Sequence, residues 1–396
     1  MWQKIKNIYH LLNAVLANIW YGFPSRNLVV IGVTGTDGKT TTVNLIHHIL
    51  TEAGLNSSMI STVGASIEGF YEDIGLHVTT PSEWTVQKLL KRISKLKDKR
   101  KKYVVLEVTS HALDQHRVWG VNFEVGVLTN VTDEHLDYHK TYENYLKTKS
   151  KLMKKSKVAI INKDDKSFEF MNEKLRDKNT LVYSFLDETD LNTKGLKVQN
   201  NVLEKFNLYN VLAAALACKT LGLDIKTIEK ALPSFLLPKG RQEIVSEGPF
   251  RVMIDFAHTP NSFEKILSSI NLEGDGRLIH VFGCAGKRDA VKRPVMGGIS
   301  AKYSNAIILT AEDPRREKVE DIIEDIALGI DAKDGKPEVY KISDRSEAIQ
   351  TAVTMAKDGD FVLITGKGHE RSMNISGTEV EWSDEESVKE ALALRS

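Results

Sequence analysis

Residues 28–42 read LVVIGVTGTDGKTTT, and this stretch decides the fold. The β-branched, apolar run at 28–33 is typical of a buried parallel strand. A glycine-rich turn follows, and the periodicity of residues 40–50 predicts a helix. A strand that leads through such a turn into a helix predicts a doubly wound α/β sheet, in which ligands bind at the carboxyl ends of the strands.

The turn between this strand and helix has the residue types that bind nucleotide phosphates. Gly35 and Gly38 allow backbone N–H groups to approach phosphate oxygens closely. Lys39 supplies a positive charge for the outer phosphates, and Thr40 offers a hydroxyl to Mg²⁺. Val33 stands where the strict phosphate-loop pattern has glycine, so this loop is a variant. The pattern predicts binding of a nucleoside triphosphate, but kinases, motors, switches and ligases share it.

Strand and helix patterns alternate over the rest of the chain. Strands are predicted at 103–108, 124–129, 157–161, 181–184, 251–256, 277–282, 305–310 and 360–365, with helices at 144–154, 208–221 and 293–303 and from Ser262 and Val319. Pro233 and Pro238 bracket a short apolar segment that Gly240 follows, and this break in the pattern indicates a domain boundary near residue 238. We therefore predict a helical segment at 1–27, a central ATP-binding domain with a mostly parallel, doubly wound sheet at 28–238, and a smaller Rossmann-like domain at 239–396.

The composition narrows the class of protein. The 396 residues include 54 Lys and Arg and 53 Asp and Glu, a net charge of +1. That balance excludes a globally basic coat for nucleic acid and an acidic disordered tail. Cys218 and Cys284 make no disulfide framework, so we expect both to be buried in a protein of a reducing compartment. Because ATP is also cytosolic, we predict a cytoplasmic protein with small-molecule substrates and no nucleic-acid partner.

The N-terminal stretch between Lys6 and Arg26 contains no Asp, Glu, Lys or Arg. Its apolar residues recur at helical spacing, but interspersed asparagines and a histidine make it a poor membrane span. Two interpretations stay open. The segment is a helix packed on its own protein or on a partner, or residues 1–25 dock at the inner face of a membrane.

Polar side chains also follow later strands. Glu107 ends the strand YVVLEV, where a carboxylate can hold Mg²⁺; the alternative is an N-cap or a salt-bridged residue. His135 lies in VTDEHLDYH after the next strand, and so many polar side chains at one strand end favour a metal ligand over a packed surface histidine. The basic run YLKTKSKLM around Lys149 is, in its simplest interpretation, a solvated helix face.

Together these segments resemble the Mur ligase family, and within it the synthetases that add the third residue of the peptidoglycan stem peptide. The matching segments lie in the family's order from about residue 28 to residue 370: TGTDGKTTT, HVTTPSE, EVTSHALDQHRVWG, TNVTDEHLDYH, YLKTKSKLM, FNLYNVLAAALA, KGRQE, DFAHTPNSFEKIL, VFGCAGKRDAVKRPVMGGI, EDPRRE and TGKGHE.

The resemblance implies roles for individual residues. ATP would be bound by Gly35, Thr36, Asp37, Gly38, Lys39, Thr40, Thr41, Asn207, Asn210, Arg241, Asp255 and His258. Two Mg²⁺ ions would be held by Thr40, Glu107, His135 and Lys149, and the catalytic set would be Lys39, Glu107, His135 and Lys149. Lys149 matches the family's carbamylated lysine, whose carbamate is an anionic oxygen ligand. The acceptor would be bound by Thr79, Thr80, Ser110 and Arg117, and the incoming amino acid by Arg288, Asp313, Arg315, Gly366 and Glu370.

The activity implied is ATP-dependent amide bond formation. A substrate carboxylate attacks the γ-phosphate, giving an acyl phosphate and ADP, and the amine of an amino acid then displaces phosphate. Only 27 residues precede the first strand, so we expect the family's N-terminal UDP-binding domain, roughly 100 residues, to be lacking. A ligase for another peptide or γ-glutamyl acceptor therefore stays open, as does a nucleotide-binding regulatory protein without synthetic activity.

Arg315, in AEDPR, matches the position at which diaminopimelate-adding members of the family carry an arginine. Diaminopimelate has a second carboxylate that an arginine fork can bind, and lysine has none. Asp313 departs from the usual asparagine, and it could pair with Arg288 or Arg315. A salt bridge from Arg315 to Asp313 or Glu317 is the structural alternative. We predict diaminopimelate over lysine.

Overall fold

A computed structural model describes residues 2–72, 80–132, 134, 136–198, 205–330 and 337–395. The chain divides into two compact units, Met1–Leu236 and Leu237–Ser396. Each unit has its own mainly parallel sheet, covered by helices on both faces.

The first unit is built on a nine-stranded sheet. Its strands are β1 (Val29–Thr34), β2 (Asn56–Ser61), β3 (Gly64–Ile67), β4 (Phe70–Glu72), β5 (Lys102–Glu107), β6 (Phe123–Leu128), β7 (Val158–Asn162), β8 (Thr180–Ser184) and β9 (Leu191–Asn192). Its helices are α1 (Trp2–Tyr21), α2 (Lys39–Glu52), α3 (Glu83–Ser94), α4 (Ser110–Asp114), α5 (Leu136–His139), α6 (Tyr142–Lys155), α7 (Phe168–Lys174), α8 (Lys205–Thr220) and α9 (Ile225–Ala231). The strand order is β4-β3-β2-β5-β1-β6-β7-β8-β9, and only the β2–β3–β4 pairings are antiparallel.

The centre of this sheet explains why β1 reads as a continuous apolar run. Val30, Ile31 and Val33 are fully buried, because helices cover both faces of a parallel sheet. Gly32 interrupts the run for a steric reason, since a Cβ there would lie 2.8 Å from the Phe123 ring on β6. The carboxyl ends of β5, β1 and β6 therefore lie side by side at one edge.

The second unit is a six-stranded sheet with a small hairpin. Its strands are β10 (Glu243–Glu247), β11 (Arg251–Asp255), β12 (Leu278–Phe282), β13 (Ala306–Leu309), β14 (Glu338–Lys341), β15 (Phe361–Thr365) and the hairpin strands β16 (Ser372–Ile375) and β17 (Thr378–Glu381). Its helices are α10 (Pro260–Ser269), α11 (Lys292–Tyr303), α12 (Val319–Ala327), α13 (Arg345–Met355) and α14 (Asp384–Arg395). The order is β10-β11-β15-β12-β13-β14, with β10 antiparallel to β11.

The predicted fold class, a doubly wound α/β architecture with a second Rossmann-like sheet, is confirmed. Each strand predicted from the sequence is present, with its ends shifted by at most one residue. Cys218 and Cys284 are free and buried, as expected. The sequence analysis missed several elements, among them β2–β4, α3, α13 and α14.

The N-terminal segment forms α1, and one face of this helix packs on its own protein. Ala14, Ala17 and Asn18 are fully buried, and the Asn18 amide donates to the Trp119 carbonyl at 2.7 Å. The opposite face carries apolar side chains that are 56–77% exposed: Ile8, Tyr9, Leu12, Leu16, Ile19 and Trp20. Among the described helices, none is both long and apolar enough to cross a membrane.

Candidate active site

The loop after β1 is held in shape by the residues that follow β6. The Thr36 amide donates to the Asn130 carbonyl, and the Asp37 amide donates to the Asn130 side-chain oxygen, both at 2.9 Å. The Thr129 hydroxyl donates to the Asp37 carbonyl at 2.6 Å. These bonds hold the backbone of the loop against the residues that follow β6.

Two glycines in this loop are required by close contacts. A Cβ at Gly35 would lie 1.8 Å from the Thr129 hydroxyl. Gly38 has a φ of +78°, and a Cβ there would lie 2.2 Å from Asn210 Oδ1. Gly38 also occupies the N-cap of α2, so the first turn, with Lys39 and the buried Thr41, presents the positive end of a helix dipole to an anion.

Thr40 and Glu107 come together beside the loop, as the sequence predicts. The Thr40 hydroxyl donates to Oε2 and Oε1 of Glu107 at 3.0 and 3.1 Å, and the Thr62 amide donates to Oε2 at 3.0 Å. Glu107 is buried, and no Lys, Arg or His in the described chain forms an ion pair with it. A buried carboxylate beside a hydroxyl, with no cationic partner, fits Mg²⁺, which prefers oxygen ligands.

Lys149 is buried beside the same loop. Its Nζ donates to the Gly35 carbonyl at 2.6 Å and lies 4.4 Å from the centre of the Tyr145 ring. Burial holds the pKa of the Lys149 amine well below its ordinary value, and the nearby Lys39 cation lowers it further. The interpretation of a solvated face is wrong for Lys149, although it holds for Lys147, which is exposed and paired with Glu143.

Asn207 and Asn210 lie on α8 directly behind the loop. The Asn210 amide donates to Asn207 Oδ1 at 3.1 Å, and Asn210 Oδ1 accepts from the Thr42 hydroxyl at 3.3 Å. Both asparagines are buried. The structure therefore brings these two predicted nucleotide contacts to the N-terminus of α2.

Two of the described acceptor positions, Thr80 and Arg117, share a hydrogen-bond network with Glu107. Arg117 Nη1 donates to the Thr80 carbonyl at 2.8 Å, and the Thr80 hydroxyl donates to the Glu107 carbonyl at 3.0 Å. Ser110 Oγ lies 3.0 Å from His139 Nε2. Two further predicted positions, Thr79 and His135, lie outside the described residues. Within the described chain, no three His, Cys, Asp or Glu side chains form a metal-binding group.

In the second unit, Arg241 and His258 lie around the Phe256 ring. The Arg241 guanidinium carbon is 4.3 Å from the ring centre, and the His258 ring meets it edge-on at 4.7 Å. The neighbouring Asp255 carboxylate accepts from the Gln242 and Ala257 amides, both at 2.7 Å. Asp255 thus fixes the backbone of two loops, a role that the sequence analysis missed.

The loops after β12, β13 and β15 pack closely together. A Cβ at Gly286 would lie 2.0 Å from the Pro314 carbonyl oxygen. Lys367, which is fully buried, donates to Asp313 Oδ1 at 2.8 Å and to Glu370 Oε2 at 2.5 Å. The sequence analysis chose Gly366 and Glu370 and missed Lys367, although a lysine between two glycines at a strand end was a usable signal.

Arg315 lies in the loop after β13 and has no acidic partner among the described residues. It has a φ of +55°, its amide donates to the Asn374 carbonyl at 2.8 Å, and Nη1 donates to the Gly286 carbonyl at 3.1 Å. Across the described residues Arg315 forms no ion pair, because Asp313 pairs with Lys367 and Glu317 pairs with Arg293 at 2.7 Å. The alternative salt bridges from Arg315 to Asp313 or Glu317 are therefore wrong.

Arg288 is exposed in the loop after β12. Its side chain lies on the same edge of the sheet as Asp313, Gly366 and Glu370, because all four follow carboxyl ends of neighbouring parallel strands. Gly366 has a φ of +108°, and a Cβ there would lie 3.0 Å from a Glu312 carboxyl oxygen. Burial raises the pKa of Glu312 to about 7.

Both units match family models. Residues 33–218 match the Mur ligase middle domain, and residues 240–368 match the model described as Mur ligase, glutamate ligase domain. This chain belongs to the Mur ligase family. The predicted family is thus confirmed, and with it the prediction of an ATP-dependent, amide-forming ligase.

Two curated relatives of this Mur ligase are named as diaminopimelate ligases. The UDP-N-acetylmuramoyl-L-alanyl-D-glutamate--2,6-diaminopimelate ligase of Aquifex aeolicus is 40% identical over 398 residues, which cover 95% of this chain and 80% of that protein. Ligase 1 of the same name in Clostridium acetobutylicum is 39% identical over 398 residues, with the same coverage.

Two solved structures are similar to this chain along most of its length. A structure of a UDP-N-acetylmuramoyl-L-alanyl-D-glutamate--2,6-diaminopimelate ligase is 30% identical, with a TM-score of 0.62 over 93% of this chain and 79% of that one. E. coli FolC in complex with DHPP and ADP is 20% identical, with a TM-score of 0.68 over 89% of each chain. At that identity the second likeness shows the fold alone.

Proposed function

We propose that this Mur ligase uses ATP to join 2,6-diaminopimelate to the D-glutamyl carboxylate of a peptidoglycan precursor of the UDP-N-acetylmuramoyl-L-alanyl-D-glutamate type. The names of relatives at 34–40% identity support this substrate pair. We assign ATP binding to a domain at 28–238 and amino-acid binding to a domain at 239–396. The reaction takes place in the cytoplasm, where ATP is supplied.

The observation that supports diaminopimelate as the amino acid is that the Arg315 guanidinium has unused hydrogen-bond donors. Its guanidinium makes one hydrogen bond, to the Gly286 carbonyl, and no ion pair with any described residue. The remaining N–H donors suit the far carboxylate of diaminopimelate, which a planar fork binds through two charge-assisted bonds. Lysine would place an ammonium there instead, and repulsion would disfavour it.

The first step takes place at the loop of the first unit. Lys39 and the backbone N–H groups at the start of α2 hold the β- and γ-phosphates, while Asn130 engages the amides of Thr36 and Asp37 and holds the loop in place. Asn207 and Asn210 support the nucleotide from behind. Thr80, Ser110 and Arg117 orient the acceptor, so that its carboxylate oxygen bonds to the γ-phosphorus as ADP leaves. Mg²⁺, held by Thr40 and Glu107, supplies charge neutralisation between the two anions when bound.

Lys149 is proposed to act as a carbamate. Burial lowers the pKa of its amine, which favours the neutral form that reacts with CO₂. A neutral amine adds to CO₂, forming an N–C bond and releasing one proton, which leaves an anion beside Gly35. That anion is suited to hold a second cation together with His135. Support comes from the burial of Lys149 in a helix in which Lys147, Lys154 and Lys155 are exposed.

In the second step the amine of the amino acid attacks the acyl carbon, and phosphate leaves with the former carboxylate oxygen. Arg288, Asp313, Gly366 and Glu370 are proposed to orient the amino acid near its reacting centre. Arg241, Asp255 and His258 are proposed to contact the nucleotide from the second unit.

The rival functions are separated by ADP release measured with a panel of acceptors and amino acids. The proposal requires release that depends on both diaminopimelate and the UDP-linked dipeptide. Release with a different γ-glutamyl acceptor would favour the alternative ligase. Release that needs neither substrate would contradict the proposal and favour a regulatory nucleotide-binding protein.

We also propose that the exposed face of α1 docks on an anionic lipid surface. This face carries aliphatic side chains together with Tyr9 and Trp20, the aromatic residues suited to a membrane–water interface. No Asp, Glu, Lys or Arg lies between Lys6 and Arg26, and these two cations flank the apolar face. The opposite face is fixed to the acceptor region, since Asn7 donates to Asp114 at 2.9 Å.

Co-sedimentation with vesicles of anionic and of zwitterionic lipid tests this docking. A double variant, Leu12→Glu with Leu16→Glu, changes two exposed positions and should abolish binding to anionic vesicles. Leu186→Glu, at a still more exposed site off the helix, should bind as the wild type does. Equal, negligible binding by all three proteins would contradict the proposal, and a mass that doubles with concentration would indicate a second copy as the occupant.

A further inference from the structure

Arg345 and Asp384 form a fully buried ion pair in the second unit. Arg345 begins α13 and Asp384 begins α14, and both side chains have 0% exposure. The pair is bidentate, with Nε donating to Oδ1 and Nη2 donating to Oδ2, each at 2.7 Å. The Trp382 indole N–H donates to Asp384 Oδ1 at 2.8 Å and fixes the carboxylate further.

The remaining donors of Arg345 reach two strand ends. Nη1 donates to the Ala311 carbonyl at 3.0 Å, and Nη2 donates to the Thr365 carbonyl at 2.9 Å. Ala311 follows β13 and directly precedes Glu312, whereas Thr365 ends β15 and directly precedes Gly366. The guanidinium therefore bonds to the backbone at the start of both loops.

These two strands do not pair with each other, because β12 lies between them in the sheet. No backbone ladder joins these two strands directly, and β12 pairs with each of them. The guanidinium adds a direct link between their ends, because its planar fork has donors on several sides, which an ammonium lacks. A contribution to folding stability does not by itself explain why this pair is present. Apolar residues can often replace a buried ion pair without a loss of folding stability.

We propose that the Arg345–Asp384 pair is a positioning clamp for amino-acid recognition. It fixes the loop that carries Asp313 and Arg315 relative to the loop that carries Gly366 and Glu370. This inference rests on the proposed function, in which these two loops bind the incoming diaminopimelate. Neither clamp residue touches the substrate, so both act through the backbone that they hold.

A matched control lies at the opposite edge of the same sheet. Arg277 and Asp360 also form an ion pair, at 2.8 Å, and they directly precede β12 and β15. Arg277 likewise donates to a backbone carbonyl, that of Met355, at 3.0 Å. Breaking this pair perturbs the same unit but leaves the loops at the carboxyl ends untouched.

The test compares Arg345→Lys and Asp384→Asn with Arg277→Lys and Asp360→Asn in the full-length enzyme. The clamp variants should raise the KM for diaminopimelate by about 10- to 100-fold, because small displacements of binding groups are costly, while the KM for ATP changes less than about 2-fold. The control variants should leave both constants near wild type. Equal KM values for diaminopimelate in clamp and control variants would overturn the proposal.

Hydrogen exchange supplies a readout that needs no activity. Amides in 312–317 and 366–371 should exchange about 10-fold faster in the clamp variants than in the controls. Unchanged exchange in both segments would overturn the clamp. If a clamp variant fails to fold, Trp382→Phe removes the bond to Asp384 while keeping an aromatic ring against the core. This variant should raise exchange in the same segments, and no change there would count against the clamp. If the wild-type enzyme forms no product with any amino acid, the proposed function is refuted. The hydrogen-exchange rates of the two segments would still show whether Arg345 and Asp384 hold these loops.

Discussion

At the scale of single residues, burial separates side chains that the sequence presents as equivalent. Lys147 and Lys149 lie two positions apart in one basic run, yet Lys147 is exposed and Lys149 is buried against the phosphate loop. Helical periodicity could have placed Lys149 on the apolar face with Tyr145 and Leu152. The neighbours of that face depend on long-range packing, so the contact with Gly35 could not be predicted locally.

Substituting Lys149 tests its proposed role as a ligand. Lys149→Ala should lower ligase turnover by about 100-fold or more, because a charge-stabilising group at the transferred phosphate is lost. Added formate or acetate should restore part of the rate by supplying an anionic oxygen. Lys147→Ala is the control and should retain wild-type turnover. Near wild-type turnover of Lys149→Ala would refute the carbamate assignment and direct attention to Lys151.

Arg315 is the residue on which the choice of amino acid depends. Arg315→Ala should reduce the preference for diaminopimelate over lysine by about 10- to 100-fold, since two charge-assisted bonds are lost. Competition of both amino acids in one reaction, with products separated by mass, measures this preference. The exposed neighbour Arg316 provides the control, and Arg316→Ala should leave the ratio unchanged. An unaltered ratio in Arg315→Ala would refute the assignment.

At the scale of elements, the strands were predictable because their β-branched runs are buried on both faces. β2 was missed because its sequence, NSSMIS, is rich in serine, although Ser58 and Ser61 are fully buried in the sheet. α3 had a usable signal, since Ser82 caps it and the apolar positions from Val86 to Ile93 have helical spacing. Loop shapes depend on contacts between strand ends, so they could not be read from one segment.

The phosphate loop depends on glycine for shape and for space. Gly38→Ala should weaken ATP binding by more than about 10-fold, because its Cβ would clash with Asn210 and displace the start of α2. Gly54 is the control: its φ is +74°, but a Cβ there meets open space. Gly54→Ala should therefore cost about 1 kcal/mol of stability and leave nucleotide affinity intact. Calorimetric titration with ATP measures the affinity of both variants. Equal affinities of Gly38→Ala and Gly54→Ala for ATP would contradict this prediction.

Inside the second sheet, β12 carries a buried histidine that makes stability dependent on pH. His280 contacts Ser300 Oγ at 2.8 Å and Thr365 Oγ1 at 3.0 Å, and burial lowers its pKa to about 3. The unfolded chain takes up this proton below about pH 6.5, and the folded chain does not until about pH 3. Stability should therefore fall as the pH drops from 6.5 toward 3, by about 2 kcal/mol at pH 5.

Urea unfolding of the wild type and of His280→Asn at pH 7 and pH 5 checks this dependence. Asparagine keeps a polar side chain but does not titrate, so the variant should lose less free energy of unfolding between the two pH values. An identical loss in both proteins would show that His280 does not contribute.

At the scale of the whole molecule, both units are built on a mainly parallel sheet, and the candidate residues occupy equivalent places in each. In each, the candidate site lies where loops leave the carboxyl ends of neighbouring parallel strands. That rule made the positions of Thr40 and Glu107 predictable from the order of strands and helices, whereas Asp313 was assigned from the family resemblance. The rule does not identify the partners of a side chain, so the bonds of Lys367 and Arg345 could be found only in the packed structure.

The central claim, that an acceptor carboxylate is activated by phosphoryl transfer, is tested most directly by isotope transfer. The UDP-linked dipeptide is prepared with oxygen-18 in its D-glutamyl γ-carboxylate and incubated with ATP, diaminopimelate and the enzyme. The account predicts one oxygen-18 atom in each phosphate released, because the carboxylate oxygen that attacks the γ-phosphorus leaves with phosphate when the amide forms. Release of unlabelled phosphate at the same rate would mean that water attacks ATP, and it would contradict the account.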